Sequence, residues 1–262
     1  MFFPLKDSIR IPFTPAAAYF LIAVNVVVFL YQYSLNAHDA YYFSLHHALV
    51  PCRYFDPACG NAHALSPSDY LPFIEGTFMH GNWLHLILNM WTLFILGTSL
   101  EGRIGHFGFL LFYLVCAFIA SFAHAYFNQD SAVPTLGASG AIAGVIGGYS
   151  TTFPRAKVRI LILIVFIPLF FKIPALGFGL IWFALQLPFG FIDLVSPSMG
   201  SGIAWWAHIG GFAAGFILIP LFRLGPNRTY DEEERRLAER QAWRTAGPPR
   251  ENRSGWTRGP WG

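Results

Sequence analysis

The stretch His80-Gly81-Asn82-Trp83-Leu84-His85-Leu86-Ile87-Leu88-Asn89 opens a largely apolar run that continues to Leu100. Polar groups therefore sit at the head of a membrane-length helix. His85 and Asn89, four residues apart, share one face of that helix. An imidazole and a carboxamide facing inward within lipid are costly unless they have partners or a task. Two later segments bring further polar groups to a similar depth: Gly137-Ala138-Ser139-Gly140 and Ala207-His208.

Composition places those residues in a membrane. Of 262 residues, 55% are hydrophobic and 12% charged, whereas a soluble domain carries about twice that charge. The mean hydropathy is +0.47. This is the signature of an all-α, polytopic membrane protein. The net charge of +3 comes from loop ends and a tail, which excludes a nucleic-acid binder. Cys52 and Cys59 share one loop, while Cys116 lies in an apolar run. The loop pair forms a disulfide if that loop faces an oxidising compartment, and otherwise stays as two thiols. Cys52, Cys59 and His63 match no common zinc spacing, so no metal and no cofactor is expected.

Apolar runs over 16–33, 82–100, 107–127, 137–153, 175–195 and 203–222 predict six transmembrane helices. Residues 1–15 form a short basic segment, 16–222 the membrane domain, and 223–262 a polar tail expected to be solvated and disordered. Residues 16–33 are longer than a usual signal-peptide h-region and no small-x-small cleavage site follows, so they read as a retained helix. The first loop, 34–79, is too long for a connector and too apolar for a linker, and is expected to fold partly against the membrane surface.

The run 160–171 is rich in β-branched residues, contains Pro168 and is flanked by Arg159 and Lys172. As a helix it covers about 18 Å of a core about 30 Å thick. It therefore reads as an interfacial or re-entrant segment that returns to its own side. Charge supports this layout. With six spans, sixteen of the seventeen Lys and Arg residues fall on the side of both termini, Arg53 alone being opposite. That bias puts the termini in the cytoplasm.

Helical rise then sets depth. If Phe153 marks the inner end of the fourth span, Ser139 lies about 21 Å above it, roughly 9 Å below the outer edge of the core. His208 lies about 7–8 Å down the sixth span, and His85 and Asn89 about 5 and 10 Å down the second. Gly140, Gly144 and Gly148 recur at every fourth position on the fourth span, as do Gly211 and Gly215 on the sixth. Such faces allow close backbone approach in lipid, which makes the fourth span the central one. A serine within reach of a histidine base is a candidate nucleophile. The free N–H groups of the first helical turn, with His85 and Asn89, are candidate oxyanion donors. Asp130 and Asp193 sit at span ends and leave no inward carboxylate, so the pattern is a dyad. His124 reads as a satisfied polar group near a helix end, Asn25 and Gln186 as interhelical hydrogen-bond formers, and His80 as a tie between the loop and the helix ends.

Together these residues resemble the rhomboid family of intramembrane serine proteases. The resemblance spans roughly residues 70–222. It rests on the spacing of His80, His85 and Asn89, the Gly-x-Ser-Gly at 137–140, the Ala-His-x-Gly-Gly at 207–211, and Glu101-x-Arg103. It implies a six-helix rhomboid-like bundle with Ser139 as nucleophile and His208 as general base. His85, Asn89 and the Ser139 N–H would bind the oxyanion. His80, Gly137, Gly140 and Gly211 would be structural residues near the site. Substrates would be single-pass membrane proteins, cut in or near the bilayer where a helix unwinds to expose its carbonyls.

Two positions depart from the family pattern. Phe73-Ile74-Glu75 stands where many relatives carry Trp-Arg, and Ala143 stands where some carry a tyrosine that stacks on the base. The rival reading is a proteolytically silent rhomboid-like protein that binds membrane clients for trafficking or quality control. The absence of a His-Glu-x-x-His motif and of paired membrane aspartates disfavours other intramembrane protease classes. Short tails without a transit peptide point to a bacterial inner membrane. Oligomeric state and the physiological substrate are left open.

Overall fold

The computed structural model describes residues 2–9, 13–62, 65–164, 167–195 and 203–223. The tail expected to be disordered lies outside the described residues from 224 onward, as do Arg10 and His63.

The molecule is a helical membrane bundle. Among the described residues, five helical spans are long and apolar enough to cross a bilayer: α1 (Ala16–Ser34), α3 (Trp83–Ile104), α4 (His106–Phe127), the α6–α7 unit (Ala175–Val195) and α8 (Trp205–Phe222). The remaining predicted span is α5 (Ser139–Thr152), whose 14 residues rise about 21 Å. Every residue from Gly140 to Ser150 is buried, so α5 is the axis of the bundle.

Its glycines allow this. A Cβ on Gly211 would collide with the Gly140 carbonyl, and one on Gly215 with the Gly144 carbonyl. On the other side, Gly144 meets Cys116 and Gly148 meets Phe112, both on α4. Without lipid-derived hydrophobic drive, such backbone contact is what holds helices together in a membrane.

Glu101 organises the C-terminal end of α3. Fully buried, it accepts hydrogen bonds from the N–H groups of Ala17 at 2.9 Å and Ala18 at 2.7 Å. Those donors belong to the first turn of α1, where the helix dipole also favours a negative charge. His106 contacts the same carboxylate through Nδ1.

The expectation of an all-helical chain needs one addition. Residues 157–174 form a hairpin, β2 (Lys157–Ile164) and β3 (Ile167–Pro174), and β1 (Phe2–Lys6) adds antiparallel to β2. Lys157 pairs with Pro174, so the segment does return to its own side. It does so as strands because β-branched residues favour the pleated conformation. Alternation is visible in β2: Val158 and Ile160 are buried, Lys157 and Arg159 exposed.

The first loop is itself folded. It contains α2 (Ala37–His47) and short helices at Cys52–Phe55, Pro57–Ala62 and Pro72–Glu75. A disulfide joins Cys52 and Cys59. Arg53 is buried and bonds the Ser66 carbonyl and the Asp69 carboxylate, both at 2.7 Å. Glu75 accepts from His47 at 3.0 Å, so the loop is tied without a Trp-Arg pair. Leu49 bridges to Thr135, which docks this loop against the one that precedes α5.

The predicted fifth span is not one helix. It breaks at Leu185–Gln186 into α6 (Ala175–Ala184) and α7 (Leu187–Val195). Pro188 has no N–H to offer the Ala184 carbonyl four residues back, and its ring opens the turn.

Candidate active site

Ser139 is the first residue of α5 and half-buried. Two residues earlier Gly137 adopts φ +131, a conformation that favours glycine. A Cβ there would lie 2.6 Å from Cε1 of His85. Gly137 thus turns the chain into α5 and leaves room for the His85 ring. The N–H groups of the first turn have no carbonyl one turn earlier within the helix.

His208 lies one turn into α8. Its Nε2 is 2.9 Å from Ser139 Oγ. The contact exists because α5 and α8 approach at backbone distance beside Gly140 and Gly211. The other imidazole nitrogen, Nδ1, is 3.0 Å from Oε1 of Gln186. The rings of Trp182 and Trp205 flank the imidazole, each with its centroid 5.8 Å away. These groups stand around His208 although Ala143 carries no ring. Reading Gln186 as an interhelical group was right in kind but missed which residue it serves. The available signal was an amide in an otherwise apolar span.

His80, His85 and Asn89 form a second cluster. The His80 and His85 rings meet edge to face with centroids 5.0 Å apart. The Asn89 amide nitrogen lies 3.0 Å from His80 Nε2 and donates to it. His80 N–H donates to Gln32 Oε1 at 3.0 Å, which ties this turn to the end of α1. The geometry therefore brings Ser139 to His208, and His85 to Gly137, while the Asn89 amide engages His80. Burial, with the His85 ring adding to it, holds His80 neutral, its pKa pushed down to about 3. A neutral Nε2 is what the Asn89 donor requires.

His124 is satisfied, as its position near a helix end implied. Thr135 Oγ1 lies 2.9 Å from its Nε2, and Asn128 lies beside Nδ1. Beside Ser139 opens a small cleft whose walls include Thr77, Ala120, Leu136, Gly140 and Ala207. A hydroxyl within hydrogen-bond reach of an imidazole, at a helix start with free N–H groups, has the parts that acyl transfer needs.

A Rhomboid domain model matches residues 67–224. RHOMBOID-like protein 4 of Arabidopsis thaliana is 30% identical over 148 residues, covering 54% of this chain and 31% of that protein. Rhomboid protein 1, mitochondrial, of Saccharomyces cerevisiae is 28% identical over 156 residues, 56% of this chain and 40% of that one. RHOMBOID-like protein 6, mitochondrial, of Arabidopsis thaliana is 25% identical over 194 residues, 68% of this chain and 55% of its own. The matches thus span from a third to about half of these relatives' own lengths.

Proposed function

The chain belongs to the rhomboid family, and from that premise we propose that it is an intramembrane serine endopeptidase acting through Ser139 and His208. The observation that carries the reading is the 2.9 Å approach of His208 Nε2 to Ser139 Oγ. A neutral imidazole there takes the hydroxyl proton as Oγ attacks a substrate carbonyl. The oxygen of the tetrahedral intermediate then carries the negative charge. First-turn N–H groups of α5, including that of Ser139, supply fixed donors for it. The His85 side chain, packed on Gly137, and the Asn89 amide, whose NH2 has a second hydrogen besides the one given to His80, complete the candidate oxyanion hole.

The imidazolium returns its proton to the departing amine, which leaves an acyl group on Ser139. Water, activated by the same base, hydrolyses that ester and restores the hydroxyl. The scheme requires no cofactor.

Substrates are proposed to be single-pass membrane proteins presented within the bilayer. A stable helix engages its carbonyls in hydrogen bonds, so the scissile bond must lie where the helix unwinds. The proposed setting is a bacterial inner membrane with both termini in the cytoplasm, supported by the placement of basic residues.

The test is chemical. A fluorophosphonate probe applied to the detergent-purified protein should modify Ser139, as mapped by mass spectrometry. Labelling should vanish in Ser139→Ala and fall at least about 100-fold in His208→Ala. Equal labelling of wild type and His208→Ala would overturn the dyad. Failure to label folded wild type would favour client binding without proteolysis.

A further inference from the structure

We propose that Gln186 is a positioning residue that fixes the tautomer and orientation of His208. The inference rests on the dyad reading for its catalytic consequence, but the tautomer itself is measurable independently.

The helix break frees the Gln186 side chain to act. In a continuous helix the Gln186 main-chain N–H would bond the Trp182 carbonyl, four residues back. At the break it bonds Phe183 instead, at 2.9 Å. The Trp182 carbonyl is taken by the Gln186 side chain, whose Nε2 donates to it at 2.9 Å. This settles which end of the amide points where, because a carbonyl accepts only from the NH2 group. The amide oxygen consequently faces His208 Nδ1 at 3.0 Å.

An oxygen acceptor opposite Nδ1 requires that Nδ1 carry the hydrogen. In the neutral ring, Nε2 then presents its lone pair to Ser139 Oγ. Gln186 is only 8% exposed, so water competes poorly for either bond. The group that orients a base is commonly a carboxylate. Here an uncharged amide does so, with no ion to bury in the span. Its own orientation depends on the irregular turn ahead of Pro188.

The test uses the full chain in detergent micelles, with Gln186→Leu, Gln186→Asn and Gln186→Glu. Leucine keeps the volume and removes both hydrogen bonds. Asparagine is one methylene too short to reach Trp182 and His208 together. Glutamate keeps an acceptor for Nδ1. Nitrogen-15 NMR of histidine-labelled protein, with His208→Ala for assignment, should find His208 as the Nδ1–H tautomer in wild type and Gln186→Glu. A mixture of tautomers is expected in Gln186→Leu.

On a single-span substrate, Gln186→Leu and Gln186→Asn should lower kcat about 10- to 100-fold with KM within about twofold, and Gln186→Glu should restore most of it. An Nδ1–H tautomer unchanged in Gln186→Leu overturns the proposal whether or not the protein cleaves anything. So does full kcat in folded Gln186→Leu when wild type is active. Loss of folding in Gln186→Leu with normal behaviour of Gln186→Asn would also overturn it, by making the role structural. Wild type that holds the tautomer yet cleaves nothing would count against the protease reading alone.

Discussion

His80 couples the site to pH. Its folded-state pKa of about 3 lies below the ordinary 6.5, so the unfolded chain binds more protons between those values. Stability from the neutral ring is complete above pH 6.5 and is lost as pH falls towards 3, by about 1.4 kcal/mol per unit inside that window. Thermal unfolding in detergent should therefore show a falling midpoint below pH 6.5, and His80→Asn should reduce that slope. An unchanged slope in the variant would remove His80 as the source. At this scale the sequence was most legible where several residue types had to coincide. Ser139 and His208 stood out because a small-residue turn and a histidine fell at one calculated depth on adjacent helices. Gln186 did not, since an amide in an apolar span serves helix packing equally well, and only its hydrogen bonds to Trp182 and His208 distinguish the roles. The Asn89–His80 bond was likewise invisible, because helical periodicity assigns a face but no partner.

Among the elements, α1 depends on Glu101 and the centre of the bundle on paired glycines. Glu101→Ala leaves two first-turn N–H groups without their acceptor and should cost about 2–4 kcal/mol. Glu101→Gln retains one acceptor and should cost less, an ordering readable from unfolding midpoints. Gly215→Val places a branched side chain into the Gly144 backbone and should separate α5 from α8. The expected result is loss of both stability and activity, whereas a valine at Gly177, where a Cβ meets nothing within 4 Å, should be tolerated. The five long spans and the central place of α5 followed from apolar length and glycine spacing. The hairpin of 157–174 was readable as a segment that turns back, but its third strand is β1, some 150 residues away in sequence, and local patterning carries no information about such a partner. The break in the fifth span did have a sequence signal, Pro188, which the length of the apolar run masked.

At the scale of the whole molecule, the disulfide and the basic residues both bear on the proposed orientation. In that orientation the Cys52–Cys59 bridge faces the compartment opposite the cytoplasm, an oxidising one in which it would persist. In intact bacterial cells expressing the protein, an impermeant maleimide should label it only after mild reduction, at Cys52 and Cys59. Labelling that needs permeabilisation would invert the topology. Cys116, buried against Gly144, should stay unlabelled in either case.

In the proposed mechanism Ser139 and His208 cut a peptide bond in a membrane substrate. The most direct measurement compares wild type, Ser139→Ala and His208→Ala reconstituted in liposomes with a fluorogenic single-span substrate. Cleavage by wild type, with both variants at background while folded, is the predicted result. Cleavage that persists in Ser139→Ala would contradict it and place the activity in another residue or another protein.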